Sequence, residues 1–277
     1  MAPSRIDPRA VVSPEAKLGD AVAVGPFAVI EPGVVVGAGT RIEAHAYLCR
    51  GTVLGRDNAV HMGAVLGHEP QDLAYRGAPT ALIVGDRNVF REGCHVHRGT
   101  AAGSQTTIGD DCFLMTNSHV AHNCDVGDGV ILATGAVLGG HVRVGARAFL
   151  SGNCVVHQHV RVGRLALIQG GGRMSSDVPP FAIATDLNRV RGLNSTGLKR
   201  AGFDPAAIAG LRRLYRALFA ERRNLRLARE RFLREESERG GPSPEALEVL
   251  EFIASSRRGV CSAARRGSER PPADGDD

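Results

Sequence analysis

Large aliphatic side chains recur at every sixth position of this chain, and few folds can use such a column. The series runs through Ile6, Val12, Leu18, Val24, Ile30 and Val36 to Leu66 without a break. It returns at Val84, Phe90 and Val96, and then continues from Ile108 to Met174. A helix repeats near 3.6 residues and a strand every second residue, so neither lines every sixth side chain along one wall. A coil with three flat faces does so: each face spans six residues and turns one aliphatic inward, and three faces complete a turn. So short a repeat overrides local propensity and fixes the architecture as a stacked solenoid of β structure.

Composition agrees with narrow coils: the chain has 35 Gly, no Trp and 4% aromatic residues. Glycine follows many of the aliphatics, as at Gly37 and Gly163, where a tight corner leaves no space for a side chain. Four residues after each aliphatic lies a second column of small residues, including Ala28, Ala64 and Ala136. Cys94, Cys112, Cys124 and Cys154 share that phase and are expected to be small core residues, while Cys49 and Cys261 fall outside it. Irregular cysteine spacing without CxxC pairs suits a reducing compartment. No basic start leads into an apolar stretch, and no charge-free apolar run approaches the roughly 20 residues of a membrane span, so a soluble cytoplasmic protein is expected.

Two interruptions, residues 68–81 and 98–107, are expected to project as loops over a site or a neighbouring subunit. The six-residue period ends after DVPPF, giving a β-helix domain over residues 1–189. A helical domain is expected over 190–260. Asp204 and Pro205 open one helix, a second spans about 222–239, and Ser243 and Pro244 open a third with Leu247, Leu250 and Ile253 on one face. Residues 261–277 read as a disordered tail.

All ten histidines lie between His45 and His159. On the coil, His157, His122, His141 and His159 fall in nearly the same phase. Successive coils rise by about 4.8 Å, the strand spacing, so these side chains should form a row along one edge. A neutral imidazole suits O-acyl transfer, removing the hydroxyl proton as oxygen attacks a thioester carbonyl. The backbone N–H groups of Gly139, Gly140 and His141 could then face the oxyanion.

The segments GHEPQDLAY, HVHRGT, NSHVAHNC, LGGHVRVG, VVHQHV, DVPPF and GLNSTGLKRAGF occur in this order. On them the chain resembles the UDP-N-acetylglucosamine O-acyltransferase family over nearly all of residues 1–260. The resemblance implies a left-handed parallel β-helix followed by a small helical domain, assembled as a homotrimer with active sites between subunits. It implies acyl transfer from an acyl carrier protein to the glucosamine 3-OH of UDP-N-acetylglucosamine, the first step of lipid A synthesis. His122 matches the catalytic base and Gly140 the oxyanion donor. Gln71, Asp72, His97, His119, His141 and Gln158 match the nucleotide-sugar site, with His157 beside it. Asn194 and Arg200 match positions that hold nucleotide and phosphate, and Gly170 matches the position that limits acyl-chain depth. No metal or cofactor is implied beyond the phosphopantetheine arm of the donor. Three positions depart from the family pattern: Asn123 replaces an acid, Ala74 a lysine and Thr196 a glutamate.

The net charge is +5, yet residues 197–239 hold twelve Lys or Arg against six Asp or Glu. Arg212, Arg213, Arg216, Arg222, Arg223 and Arg226 would present a basic surface to an acidic carrier protein, and nucleic acid is a weaker partner without interleaved aromatics. Three alternatives share the repeat. One is N-acyl transfer, to an amino-substituted UDP-sugar or by the sister acyltransferase that carries an extra N-terminal domain. Another is a zinc-dependent carbonic anhydrase using His97, His119 and His122. The third is a purely structural β-helix.

Overall fold

The computed structural model describes residues 3–220 and 225–263. Strands of two to five residues stack into three sheets of 12, 9 and 8 members, parallel except for one C-terminal hairpin. Each coil contributes one strand to each sheet in constant register: His119 pairs with Val137 and Val137 with Val155, while Ile131 pairs with Phe149 and Phe149 with Leu167. The result is a left-handed parallel β-helix of triangular section. The six-residue column forms its axis, with Leu66, Leu114, Leu132 and Leu150 fully buried. Ile6 is 46% exposed and Val12 and Leu18 are only partly buried, since they lie in the first coil and no coil packs beneath it.

Close approach between coils explains the glycines that follow the column. A Cβ at Gly163 would stand 2.2 Å from the Pro180 nitrogen, and one at Gly37 would stand 2.3 Å from the Gly55 carbonyl oxygen. Neither is tolerable, so the backbone there can carry only hydrogen.

All six cysteines are buried free thiols, including the two outside the small column. Burial pushes the Cys49, Cys94 and Cys261 thiols up to about 12, which makes them inert. The small column also holds polar members that the apolar pattern hides. Asn58 N–H donates to Thr40 Oγ1, the Asn58 amide donates to the Gly85 carbonyl, and its Oδ1 accepts from Asn88 N–H. Asn88 Oδ1 then accepts from Cys112 N–H. This ladder runs from coil to coil inside the core, at 0–1% exposure.

The coils end at Arg173–Met174. A hairpin of Ala182–Thr185 and Arg189–Leu193 then caps the 12-stranded sheet, its first strand pairing with Leu167–Ile168. Four helices follow: α1 (Ser195–Arg200), α2 (Pro205–Tyr215), α3 (Leu225–Ser237) and α4 (Pro244–Ala254). Asp204 and Ser243 cap α2 and α4 by accepting from Ala207 and Ala246 N–H. A π-helical turn, Arg216–Ala220, prolongs α2. The hairpin and α1 were not expected from the sequence. The start of the second expected helix, residues 222–224, lies outside the described residues, and Leu247 stands outward at 49% exposure rather than facing inward with Leu250. The expected tail also begins too early. Cys261 is buried, and Ser262–Ala263 form a strand beside Arg189–Val190. Residues 264–277 lie outside the described residues. No helix among the described residues is long and apolar enough to cross a membrane.

Candidate active site

The corner between the second and third sheets carries the histidines, because the turn after His119–Val120 places His122 outward before Asp125–Val126 begins. The rings follow one another up the edge. His122 and His141 lie 5.3 Å apart edge to face, and His141 stacks on His159 at 4.6 Å. Asn123, His141 and His159 occupy the left-handed backbone region, with φ of 58°, 59° and 64°. Asparagine tolerates that conformation better than most residues, which suits Asn123 to this corner.

Asn123 also orients the ring beside it. Its Oδ1 lies 3.0 Å from His122 Nδ1 and accepts from Thr100 N–H and Thr100 Oγ1, at 3.2 and 2.9 Å. A carbonyl oxygen only accepts, so this network assigns the proton to Nδ1 and leaves the lone pair on Nε2. Thr100 belongs to the second interruption, so that loop holds the corner as well as projecting from it. Its role, and that of Thr106 Oγ1 accepting from Asn123 N–H, was invisible in the sequence.

Nε2 faces Gly140. A Cβ there would fall 2.5 Å from His122 Cε1 and 2.7 Å from Nε2, so glycine is what leaves the base room. At another corner, Asp86, Asp110 and Asp128 accept from the N–H groups of Arg56, Asp86 and Asp110 one coil below, at 2.7–2.8 Å. Gly140 N–H, by contrast, donates to no group among the described residues. A free donor and a free imidazole nitrogen therefore adjoin.

Below His122, His97 is 5% exposed, its Nδ1 lies 2.6 Å from the Glu69 carbonyl, and its ring centroid is 5.1 Å from that of His119. Burial first, then neighbouring histidines, holds His97 below the ordinary histidine value and His119 down to about 4. His141 is also lowered, by desolvation and then by His159 and His122, with Asp72 acting in the opposite sense. On the first loop Asp72 is half-buried, whereas Gln71 is exposed. His157 and Gln158 are exposed at the upper end, and Arg258 Nη2 lies 3.3 Å from His157 Nδ1.

Three expected residues are not brought to this corner. Gly170 lies exposed at the corner between the first and second sheets, with open space where a Cβ would stand apart from Gly152 O at 3.6 Å. Asn194 is 7% exposed and caps α1, accepting from Gly197 N–H and donating to the Leu165 carbonyl. Arg200 is exposed in the last turn of α1. The basic surface is partly neutralised: Arg213 and Arg239 pair with Glu236, and Arg226 with Glu230. Arg222 and Arg223 lie outside the described residues. Among the described residues no three His, Cys, Asp or Glu side chains form a metal-binding group, so His97, His119 and His122 make no such set within the chain.

Known proteins match both parts of the chain. The family described as UDP N-acetylglucosamine O-acyltransferase, domain 2, matches residues 177–261, and the bacterial transferase hexapeptide family (six repeats) matches residues 15–50 and 105–140. The acyl-[acyl-carrier-protein]–UDP-N-acetylglucosamine O-acyltransferase of Halorhodospira halophila is 41% identical over 93% of this chain and 99% of its own. That of Xanthomonas euvesicatoria is 43% identical over 91% and 96%. Among solved structures, the UDP-N-acetylglucosamine acyltransferase of Francisella novicida superposes with a TM-score of 0.88 at 32% identity, covering 94% of this chain and 95% of that one. With relatives this similar aligned from end to end, the chain belongs to the UDP-N-acetylglucosamine O-acyltransferase family.

Proposed function

We propose that the chain transfers a 3-hydroxyacyl group from an acyl carrier protein to the glucosamine 3-OH of UDP-N-acetylglucosamine, the entry step of lipid A synthesis in the cytoplasm. The observation that carries this reading is the corner where His122 Nε2 and Gly140 N–H stand together with no partner among the described residues. His122 takes the hydroxyl proton on Nε2 while the sugar oxygen bonds to the thioester carbon. The carbonyl electrons move onto oxygen and are met by Gly140 N–H. Collapse breaks the C–S bond, and the departing phosphopantetheine thiolate takes the proton from the imidazolium. Ester and free thiol result, with His122 neutral again. No metal or cofactor enters beyond the donor's own arm.

Asn123 supplies the fixed tautomer but no negative charge to the imidazolium, unlike a carboxylate at that position. Asp72, His97, His119 and His141 form the sugar pocket, with Gln71, His157 and Gln158 at its margin. Gly170, Asn194 and Arg200 sit away from His122 in their own chain, so in this reading a neighbouring copy in a homotrimer supplies them: Asn194 and Arg200 for the nucleotide, Gly170 for acyl depth. Outward valines on the second sheet, with Val11 at 63% and Val155 at 45% exposure, fit such packing. The arginines of α2 and α3 suit an acidic carrier.

The test is to incubate the protein with UDP-N-acetylglucosamine or its 3-amino analogue and carrier-bound 3-hydroxyacyl chains of several lengths, following product by mass spectrometry. O-acylated UDP-N-acetylglucosamine is expected, with one preferred length. Product from the amino analogue alone would move the reading to N-acyl transfer, and no product from any donor would overturn it.

A further inference from the structure

Beside the histidine row lies a basin of about 530 Å³ that shares Asn123 and His141 with the site above and whose arginines have no role there. One wall is the row itself, through Asn123, His141 and His159; the floor is Arg143 and Arg161 of the third sheet. The remaining wall is the strap that returns after α4, through Ser255, Arg257 and Arg258. Among the described residues Asp177 is the one carboxylate lining it, and it is already neutralised. Buried at 1% exposure, it pairs with Arg161 Nε at 2.9 Å and accepts from Ser256 Oγ.

Arg161 gives its other donors to Ser255 Oγ of the strap and to the Phe252 carbonyl in the last turn of α4. It therefore fixes the wall, and the wall is also tied by Asp177 N–H donating to the Gly259 carbonyl and Cys261 N–H donating to the Asp177 carbonyl. The guanidinium groups of Arg143 and Arg257 make no hydrogen bond or ion pair with any described residue. Two unpaired guanidiniums thus face a concavity edged by two further histidines and Arg258, a convergence of like charge that an anion would relieve. The basin adjoins His122 through Asn123 and His141.

We infer that this basin is a phosphate site, in which Arg143 and the strap residue Arg257 hold a phosphoryl group of a substrate while its reacting end lies at His122. The inference rests on the acyl-transfer reading, whose two substrates both carry phosphate: a diphosphate in the acceptor and a phosphodiester in the donor's arm. Guanidinium matches phosphate oxygens in pairs, which suits either one.

Direct binding separates the two sources without turnover. Isothermal titration of the full chain would compare UDP with uridine, and 4′-phosphopantetheine with pantetheine. Wild-type protein, Arg143→Gln, Arg257→Gln and the double variant would be used, with thermal melting to verify folding and Arg257→Lys as the conservative variant. The wild type is expected to bind the phosphorylated member of one pair about tenfold or more tighter, and the double variant to lose that preference. Arg257→Lys should keep part of it. The pair affected names the source. Folded variants that retain the full phosphate preference in both pairs, or a wild type with none in either, would overturn the inference. Its failure is distinct from failure of the acyl-transfer reading, which would show as a wild type that binds these ligands but makes no product.

Discussion

At the scale of single residues, the imidazole of His122 is held from two sides by different means. Asn123 Oδ1 fixes the Nδ1 proton, and the missing side chain of Gly140 keeps Nε2 clear. Gly140→Ala should therefore displace the ring, because the imidazole yields more easily than coil backbone. We expect kcat to fall by roughly 100-fold or more, the low end of what a positioned base contributes, with the melting temperature little changed. A variant that keeps full activity would show that Nε2 does not work where it stands. The sequence made the histidine row legible, because imidazoles in nearly one phase of an 18-residue coil are visible as spacing, although only His122, His141 and His159 of the four stack in it. The tautomer was not legible. It depends on Thr100 reaching Asn123 across a loop, a contact with no periodic signature, and in the sequence Asn123 stands only as a departure from the family's acid.

At the scale of elements, the six-residue period was readable because every coil buries the same phase. The corner glycines were readable because coil stacking leaves no space there. The hairpin over 182–193 and α1 were hidden for the opposite reason, since their pairing partners lie in the last coil and in the strap, and no local repeat reports them. The polar ladder is the clearest case of pattern misleading. A column of Val, Leu, Ala and Cys suggests that Asn58 could become aliphatic with profit. Yet its amide satisfies Asn88 N–H and the Gly85 carbonyl at 2.9 Å each, deep in the core. Asn58→Leu should cost about 2–4 kcal/mol for two orphaned backbone groups, visible as a lowered denaturation midpoint at unchanged slope. An unchanged or raised midpoint would show that the ladder is dispensable.

At the scale of the whole molecule, the site places depressed histidines along one edge, and this couples folding to pH. His119 is held down to about 4, and His97 and His141 lie below the ordinary value, with burial as the first cause in each. Folded protein therefore binds fewer protons than unfolded chain between about pH 6.5 and pH 4. Their full contribution to stability is present above about 6.5 and is lost as pH falls through that window. The melting temperature should drop over the same range, and His119→Gln should flatten the drop; a flat profile in the wild type would contradict the burial assigned to the row.

The central claim is that His122 is the base of an acyl transfer, and the most direct measurement is kcat/KM for wild type and His122→Ala with UDP-N-acetylglucosamine and an acyl carrier donor. The account predicts product from the wild type and a loss of about 10²–10⁴-fold in a folded variant. A folded His122→Ala protein that turns over within a few-fold of the wild type would contradict it, whatever the identity of the sugar or the chain.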